Sequence, residues 1–315
     1  MNYQLTRREL LKVLSGSLIT GNLSNALTPG GAHGRDSPKN IRWAQGWLLW
    51  RGFKGQALTL RDALENLNAV GADGIEFSPG SSELVKQGLT KESLKEFLGR
   101  MKLAISGNYF SAPFYDHGRR EEIFQEAQRR FDLLKEFGAK NMIIGPPDAA
   151  KEGTADRLKL IKQQVPVLNE LGKRAVDQGI QIGIHPHLNT LVESPPEIDA
   201  IMEATDPRYV FFSPDTGHIH LAGGDLLAIL RKYKSRLNYF HFKDGVRPFV
   251  RPDFIPNLRE LGQGEVEFPA VMRLLKEIRY RGWINVEQDQ TRLTPKQASE
   301  ISMAYVRRTL MPIYS

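Results

Sequence analysis

Five of the seven histidines of this 315-residue chain fall between Gln181 and Asp244, four of them in three short blocks. The first is Ile182-Gly183-Ile184-His185-Pro186-His187. The second is Phe212-Ser213-Pro214-Asp215-Thr216-Gly217-His218. The third is Asn238-Tyr239-Phe240-His241-Phe242-Lys243-Asp244. A fourth block of the same form, Trp283-Ile284-Asn285-Val286-Glu287, ends in a carboxylate. Each is an apolar run that passes into imidazole, carboxylate or amine. Imidazole nitrogen and carboxylate oxygen together suit a divalent first-row ion, and either group can carry a proton near neutral pH. An apolar strand that ends this way puts those groups at its C-terminal end, where α/β proteins bind ligands.

The elements needed to position them are visible in the patterning. From Ile41 onward, strand and helix periods alternate. Strands are predicted at 41–45, 74–78, 103–109 and 141–145, at the three histidine blocks, and at 283–287. Helices are predicted at 58–70, 91–101, 120–137, 154–178, 195–204, 225–233, 268–280 and 295–310. Gly71, Gly138 and Gly179 stop three of them, and Pro166 is expected to kink the longest. Eight strand–helix units over residues 41–315 are the pattern of a single-domain (β/α)8 TIM barrel. A doubly wound sheet would carry a G-x-G-x-x-G turn after its first strand, and none is present. The stretch from Gly245 to Glu265 is too long for an ordinary connection and is expected to cover a substrate. Gly262-Gln263-Gly264 within it reads as a turn.

In such a barrel the strand ends converge on one mouth. The polar residues there are Gln45, Glu76, Asn108, His185, His187, Asp215, His218, His241, Lys243 and Glu287. His185, Asp215, His241 and Glu287 come from the adjacent strands five to eight and are the expected metal ligands. Two nitrogens and two oxygens favour one Mn²⁺ or Co²⁺, with Zn²⁺ or Fe²⁺ as alternatives, over Ca²⁺ or Mg²⁺. Two octahedral positions would remain for a hydroxy-ketone. Each residue has a plainer reading: a hydrogen-bonded core histidine, a turn former at Asp215, half an ion pair at Glu287. Their joint placement at successive strand ends favours the metal. His220 is assigned to a loop, and His33 and His117 have no partner in the pattern.

Composition narrows the remaining classes. Hydrophobic content of 41% and charged content of 25% are those of a globular protein. Residues 1–40 hold five Lys/Arg against two acidic residues, which leaves about +4 of the net +7 spread over the rest without a basic block. That pattern argues against nucleic acid as a partner. With no cysteine there is no disulfide, thiolate site or thiol nucleophile. There is no run of the roughly 18 apolar residues that a membrane span needs. Thr6-Arg7-Arg8-Glu9-Leu10-Leu11-Lys12 followed by the weakly apolar Val13 to Leu27 resembles a twin-arginine export signal. Residues 1–40 therefore read as signal and linker ahead of a barrel at 41–315. That implies a periplasmic or exported protein, with a short cytosolic amphipathic helix as the alternative.

From Ile182 to Glu287 the chain also resembles the xylose-isomerase-like sugar phosphate isomerase/epimerase superfamily. The marks are Gly74-Ile75-Glu76, Asp215-Thr216-Gly217-His218, His241-Phe242-Lys243-Asp244 and Val286-Glu287. Within it, His185-Pro186-His187-Leu188-Asn189-Thr190, Ala222-Gly223-Gly224-Asp225 and the H-F-K-D strand resemble the inosose (keto-inositol) dehydratase branch. Many members carry Glu at the strand-five ligand position, and this chain has His185. Isomerases and epimerases of the group tend to use two opposed glutamates, so the replacement favours elimination.

The resemblance implies a metal-dependent enolising enzyme acting on a small carbohydrate or cyclitol: a dehydratase or β-elimination lyase. A 3-keto-glycoside is the substrate that best suits an exported member. An isomerase or epimerase is the alternative, and a non-catalytic exported sugar-binding protein a further one. Glu287, His187 or Glu76 is the expected base, and His187 or His218 the acid. Lys243, Asn108 and Gln45 are the expected substrate contacts, Lys243 alternatively pairing with Asp244. Nothing in the sequence bears on oligomeric state.

Overall fold

The computed structural model describes residues 40–51, 58–77, 88–148 and 154–314. The export signal and linker expected at 1–40 and Ser78 of the second predicted strand lie outside the described residues, Asn40 excepted. The fold is built on eight parallel strands: β1 Ile41–Gly46, β2 Gly74–Glu76, β3 Ala104–Ser111, β4 Asn141–Gly145, β5 Gln181–Ile184, β6 Val210–Phe212, β7 Tyr239–Phe242 and β8 Gly282–Val286. Their order is β6-β5-β4-β3-β2-β1-β8-β7. Single bridges between Phe212 and Leu237 and between Asp215 and His241 join β6 to β7 and bring the ring round. This is the expected (β/α)8 TIM barrel.

Around it lie α1 Leu60–Ala69, α2 Lys91–Met101, α3 Arg120–Glu136, α4 Thr154–Val176, α5 Pro195–Ala204, α6 Thr216–Leu221, α7 Leu226–Lys232, α8 Phe268–Glu277 and α9 Pro295–Tyr305. Capping boxes start α1 at Thr59/Asp62, α2 at Thr90/Ser93, α5 at Ser194/Glu197 and α9 at Thr294/Gln297. Each satisfies two backbone donors that a helix start leaves open. Gly71, Gly138 and Gly179 take positive φ just past α1, α3 and α4, as the sequence predicts. Pro166 is accommodated inside α4. No helix among the described residues is long and apolar enough to cross a membrane.

The period of two along each strand divides its side chains between two environments. On β7, Phe240 and Phe242 face outward, each with its ring centroid 5.0 Å from an outer aromatic, Tyr280 and Phe268 respectively. Tyr239 faces inward with Ala44, Ile143 and Trp283. His241 and Lys243 continue that inner row. On β8, Asn285 and Glu287 follow Trp283 in the same way. The barrel wall therefore positions the site directly: inner-row residues at the strand ends enter the mouth.

Two expected mouth residues do not. Gln45 has the parity of Trp43, not of Ala44, and its Oε1 accepts from Ser299 Oγ of α9 at 2.6 Å. Asn108 is displaced by a register shift: Ile75 pairs with Ile105, but Glu76 pairs with Gly107. The extra residue, Ser106, reverses the alternation from there on. Asn108 turns outward, where it donates to Phe77 O at 2.5 Å and accepts from Arg130 at 2.9 Å. Tyr109 turns inward in its place. Neither Gln45 nor Asn108 is positioned as a substrate contact.

Two further expectations change. β6 ends at Phe212, where the second block was read as starting, so Asp215 lies beyond the strand. There it caps α6 by accepting the His218 N–H at 2.8 Å. His220, read as a loop residue, is in α6 and pairs with Glu265 at 3.2 Å.

Candidate metal centre

His185 stands at the middle of the mouth. It follows β5 directly and is fully buried, and neither ring nitrogen has a hydrogen-bond partner. Its ring centroid lies 4.3 Å from that of His241, 5.6 Å from Tyr109, 5.9 Å from His187 and 6.2 Å from His218. Burial, and then the neighbouring His241, hold its pKa well below that of free histidine. The imidazole is neutral, with a lone pair available.

His241 has the opposite balance. It donates Nε2–H to Glu76 Oε2 at 2.7 Å, and Glu287 Oε2 lies 3.8 Å away. Burial disfavours the charge, but Glu76 and Glu287 overcome it and raise the pKa to about 9. His241 Nδ1 is buried without a partner and is the nitrogen left for a metal. Glu76 is thereby an orienting partner for His241, as carboxylates commonly are for ligand histidines.

The four expected ligands fall into two overlapping triples whose donor atoms lie within 4.8 Å of one another: His185, His241 and Glu287, and His185, Asp215 and His218. Asp215 and His241 are also bridge partners in the barrel wall. Glu76 Oε1, His185 Nδ1 and Nε2, and His241 Nδ1 are all buried with no hydrogen-bond partner, and Asp215 Oδ2 has the Lys243 ammonium at 3.1 Å. Stranding a buried polar atom costs roughly 1–3 kcal/mol. Several such atoms converging on one buried point form an arrangement that a cation resolves. The donor set fits a divalent ion.

The ammonium of Lys243 lies in the same place. It is fully buried and sits 3.1 Å from Asp215 Oδ2, 3.2 Å from Glu287 Oε2 and 2.8 Å from Asp289 Oδ1. It also donates to His218 Nε2 at 2.8 Å. An ammonium has no acceptor, so His218 Nε2 carries the lone pair and Nδ1 the proton. Burial opposes the Lys243 charge, but Asp215, Asp289 and Glu287 together raise its pKa well above the ordinary value. Lys243 does not pair with Asp244, whose carboxylate instead accepts from the N–H groups of Gly245, Gly262, Gly264 and Val266. The backbone N–H groups of the Gly262–Gly264 turn are thus used to hold the loop.

Asp289 and Tyr109 were not anticipated. Burial works against the Asp289 carboxylate, yet Lys243 and His218 keep its pKa well below the usual value. Burial raises that of Glu287, with Lys243 and His241 opposing. The signal for Asp289 was present in the chain: it lies two residues beyond Glu287, as His187 lies two beyond His185.

His187 is partly buried and donates Nδ1–H to Leu188 O at 2.7 Å, so its Nε2 carries a lone pair. Burial, then the adjacent His218, lowers its pKa to about 3. From the long loop, Phe254 sits edge-on to His187 and His218, at 5.8 and 5.6 Å between centroids, with Phe249 stacked on it at 5.3 Å. The segment expected to cover the substrate covers these two histidines.

A barrel whose mouth gathers imidazoles and carboxylates from β5 to β8 defines a class, and comparison with known proteins gives the same one. The chain belongs to the family described as xylose isomerase-like TIM barrel, whose model matches residues 64–309. It is similar to an inosose dehydratase from Bacillus velezensis, 28% identical over 299 residues that cover 86% of this chain and 95% of that protein. Among solved structures it resembles the IOLI protein with a bound zinc atom (TM-score 0.71, 18% identity, 87% of this chain and 98% of that one). It also resembles the probable 3-DHS dehydratase AsbF from Bacillus anthracis (TM-score 0.70, 14% identity, 85% and 99%). At those identities the two structures speak for the fold.

Proposed function

We propose that the protein is a divalent-metal-dependent lyase that removes water or an alcohol from a keto-cyclitol or keto-sugar by way of an enolate. The observation that carries this is the convergence of unpartnered, buried imidazole nitrogens of His185 and His241 with the buried carboxylates of Asp215 and Glu287. The similarity to inosose dehydratases supports the substrate class. His185, Asp215, His241 and Glu287 would hold Mn²⁺, Co²⁺, Zn²⁺ or Fe²⁺. Bound there, the ion would polarise the substrate carbonyl and acidify the adjacent C–H.

The chain's own residues divide the remaining work. Glu287 takes the carbon-bound proton, its carboxylate standing in the mouth within reach of both His241 and Lys243. Glu76 is committed to His241, and His187 is too weak a base for this step. His187 is neutral at pH 7, so it accepts a hydrogen bond from a substrate hydroxyl and does not act as the acid. His218 presents Nδ1–H to the departing oxygen, and Lys243 on its Nε2 side replaces that proton. Phe249 and Phe254 exclude water from the two histidines.

The test is incubation of candidate keto-cyclitols and keto-sugars in D₂O, with and without chelator. Loss of water or aglycone that the chelator abolishes is the expected result. Deuterium exchange on an intact carbon framework would instead make the protein an isomerase or epimerase. Binding with neither outcome would make it a sugar-binding protein. We further propose export through the twin-arginine-like segment. Mass spectrometry of the periplasmic fraction should find a shortened N-terminus, and intact protein confined to the cytosol would refute it.

A further inference from the structure

Beside the two triples that contain the expected ligands, the mouth holds a third, His187, His218 and Asp289, which uses none of them. It has the chemistry of a second cation site. The His187 and His218 rings lie 3.8 Å apart. His218 is fully buried, and Asp289 Oδ2 is buried with no hydrogen-bond partner, 3.4 Å from His218 Nε2 and 3.9 Å from His187 Nε2.

A positive charge already stands against this triple. Lys243 Nζ touches two of its three members, His218 and Asp289, and also reaches Asp215 and Glu287 of the neighbouring triples. Its stem is held in place. Thr216 Oγ1 accepts from Lys243 N at 2.9 Å and donates to Lys243 O at 2.8 Å. Gly217 lies so close that a Cβ there would meet Lys243 Cγ at 2.8 Å. The ammonium is thus fixed inside the mouth, where low polarisability makes like charges repel far more strongly than in water.

We propose that Lys243 fills the second cation position of this mouth. The ammonium, and not a second metal ion, serves His218 and Asp289, and it limits the protein to one divalent ion. The inference rests on the metal-centre reading above and adds what that reading leaves open, the number of ions and the reason for it. It also gives the positive charge beside His218 a fixed origin. A second metal would exchange with the medium, whereas the ammonium does not.

The test is stoichiometry. Metal-free protein is titrated with Co²⁺ alone, and bound metal is counted by elemental analysis after gel filtration and followed by visible absorption. Wild type is expected to hold one ion per chain. Lys243→Met, which keeps most of the unbranched stem and removes the charged end, is expected to hold two. The double variant Lys243→Met/Asp289→Asn is expected to return to one. Should Lys243→Met fail to fold, Lys243→Gln carries the same expectation of two. A neutral variant that holds one ion, or a wild type that holds two, overturns the inference and leaves the proposed function standing. A wild type that holds none overturns both.

Discussion

Glu76→Gln separates the two consequences of the His241 pair. The substitution keeps the shape and an acceptor for His241 Nε2–H at the present 2.7 Å. It removes the charge that does most to raise His241 from 6.5 to about 9. That rise corresponds to about 3 kcal/mol of differential stabilisation, at roughly 1.36 kcal/mol per pKa unit. Because the folded pKa is raised, this stability is fully present below about 6.5 in the metal-free protein and is lost as pH climbs through about 9.

Metal binding responds in two opposed ways. At pH 7 nearly all wild-type His241 is protonated, so binding must displace that proton at a cost of about 100-fold in apparent affinity. The variant is spared this cost. It also loses the carboxylate behind a ligand histidine, which typically weakens binding ~10–100-fold. The two effects nearly cancel at pH 7, so a single measurement there would mislead. The slope does not cancel. Between pH 7 and 9 wild-type affinity should rise about 50-fold, and the variant's less than about 3-fold. The assay is competition for Co²⁺ against a chelator of known affinity, with thermal unfolding of the metal-free proteins over the same range. Parallel slopes for the two proteins would refute the assignment of Nε2 to Glu76 and Nδ1 to the metal.

Phe254→Ala should admit water to His187 and raise its pKa from about 3 by a unit or more, because desolvation is the largest cause of its depression. NMR titration of the imidazole reads this directly, and an unchanged titration would show that the loop does not shield the site. Gly217→Ala should destabilise the fold by about 1–3 kcal/mol in urea unfolding, since its Cβ would meet Lys243 Cγ and the Lys243 carbonyl, both at 2.8 Å. Asp289→Asn should leave the first ion bound, measured by elemental analysis. Turnover in the proposed elimination should fall at least about tenfold as Lys243 and His218 lose a charged partner.

Strand periodicity carried much of the site into view. His185, Asp215, His241 and Glu287 meet because each follows an inward-facing row at the end of adjacent strands, and apolar alternation shows those rows in the chain. Glu76 was legible as a mouth residue, but its service to His241 was not, because the two are 165 positions apart. Gln45 and Asn108 failed for identifiable reasons. Gln45 has the outward parity of Trp43, which the strand pattern contained. Asn108 is turned outward by the one-residue shift at Ser106, which no local signal announces. Tyr109 was missed for the same reason. The environment of Lys243 depends on β6, β7 and β8 arriving together with Asp289, so its burial among three carboxylates belongs to the fold and not to any segment.

Anomalous diffraction from crystals soaked in Mn²⁺ or Zn²⁺ locates the ion. One strong peak is expected about 2.0–2.3 Å from donor atoms of His185, Asp215, His241 and Glu287, with His241 bound through Nδ1. No peak in the mouth, or a peak held by His187, His218 and Asp289 in its place, would contradict this assignment.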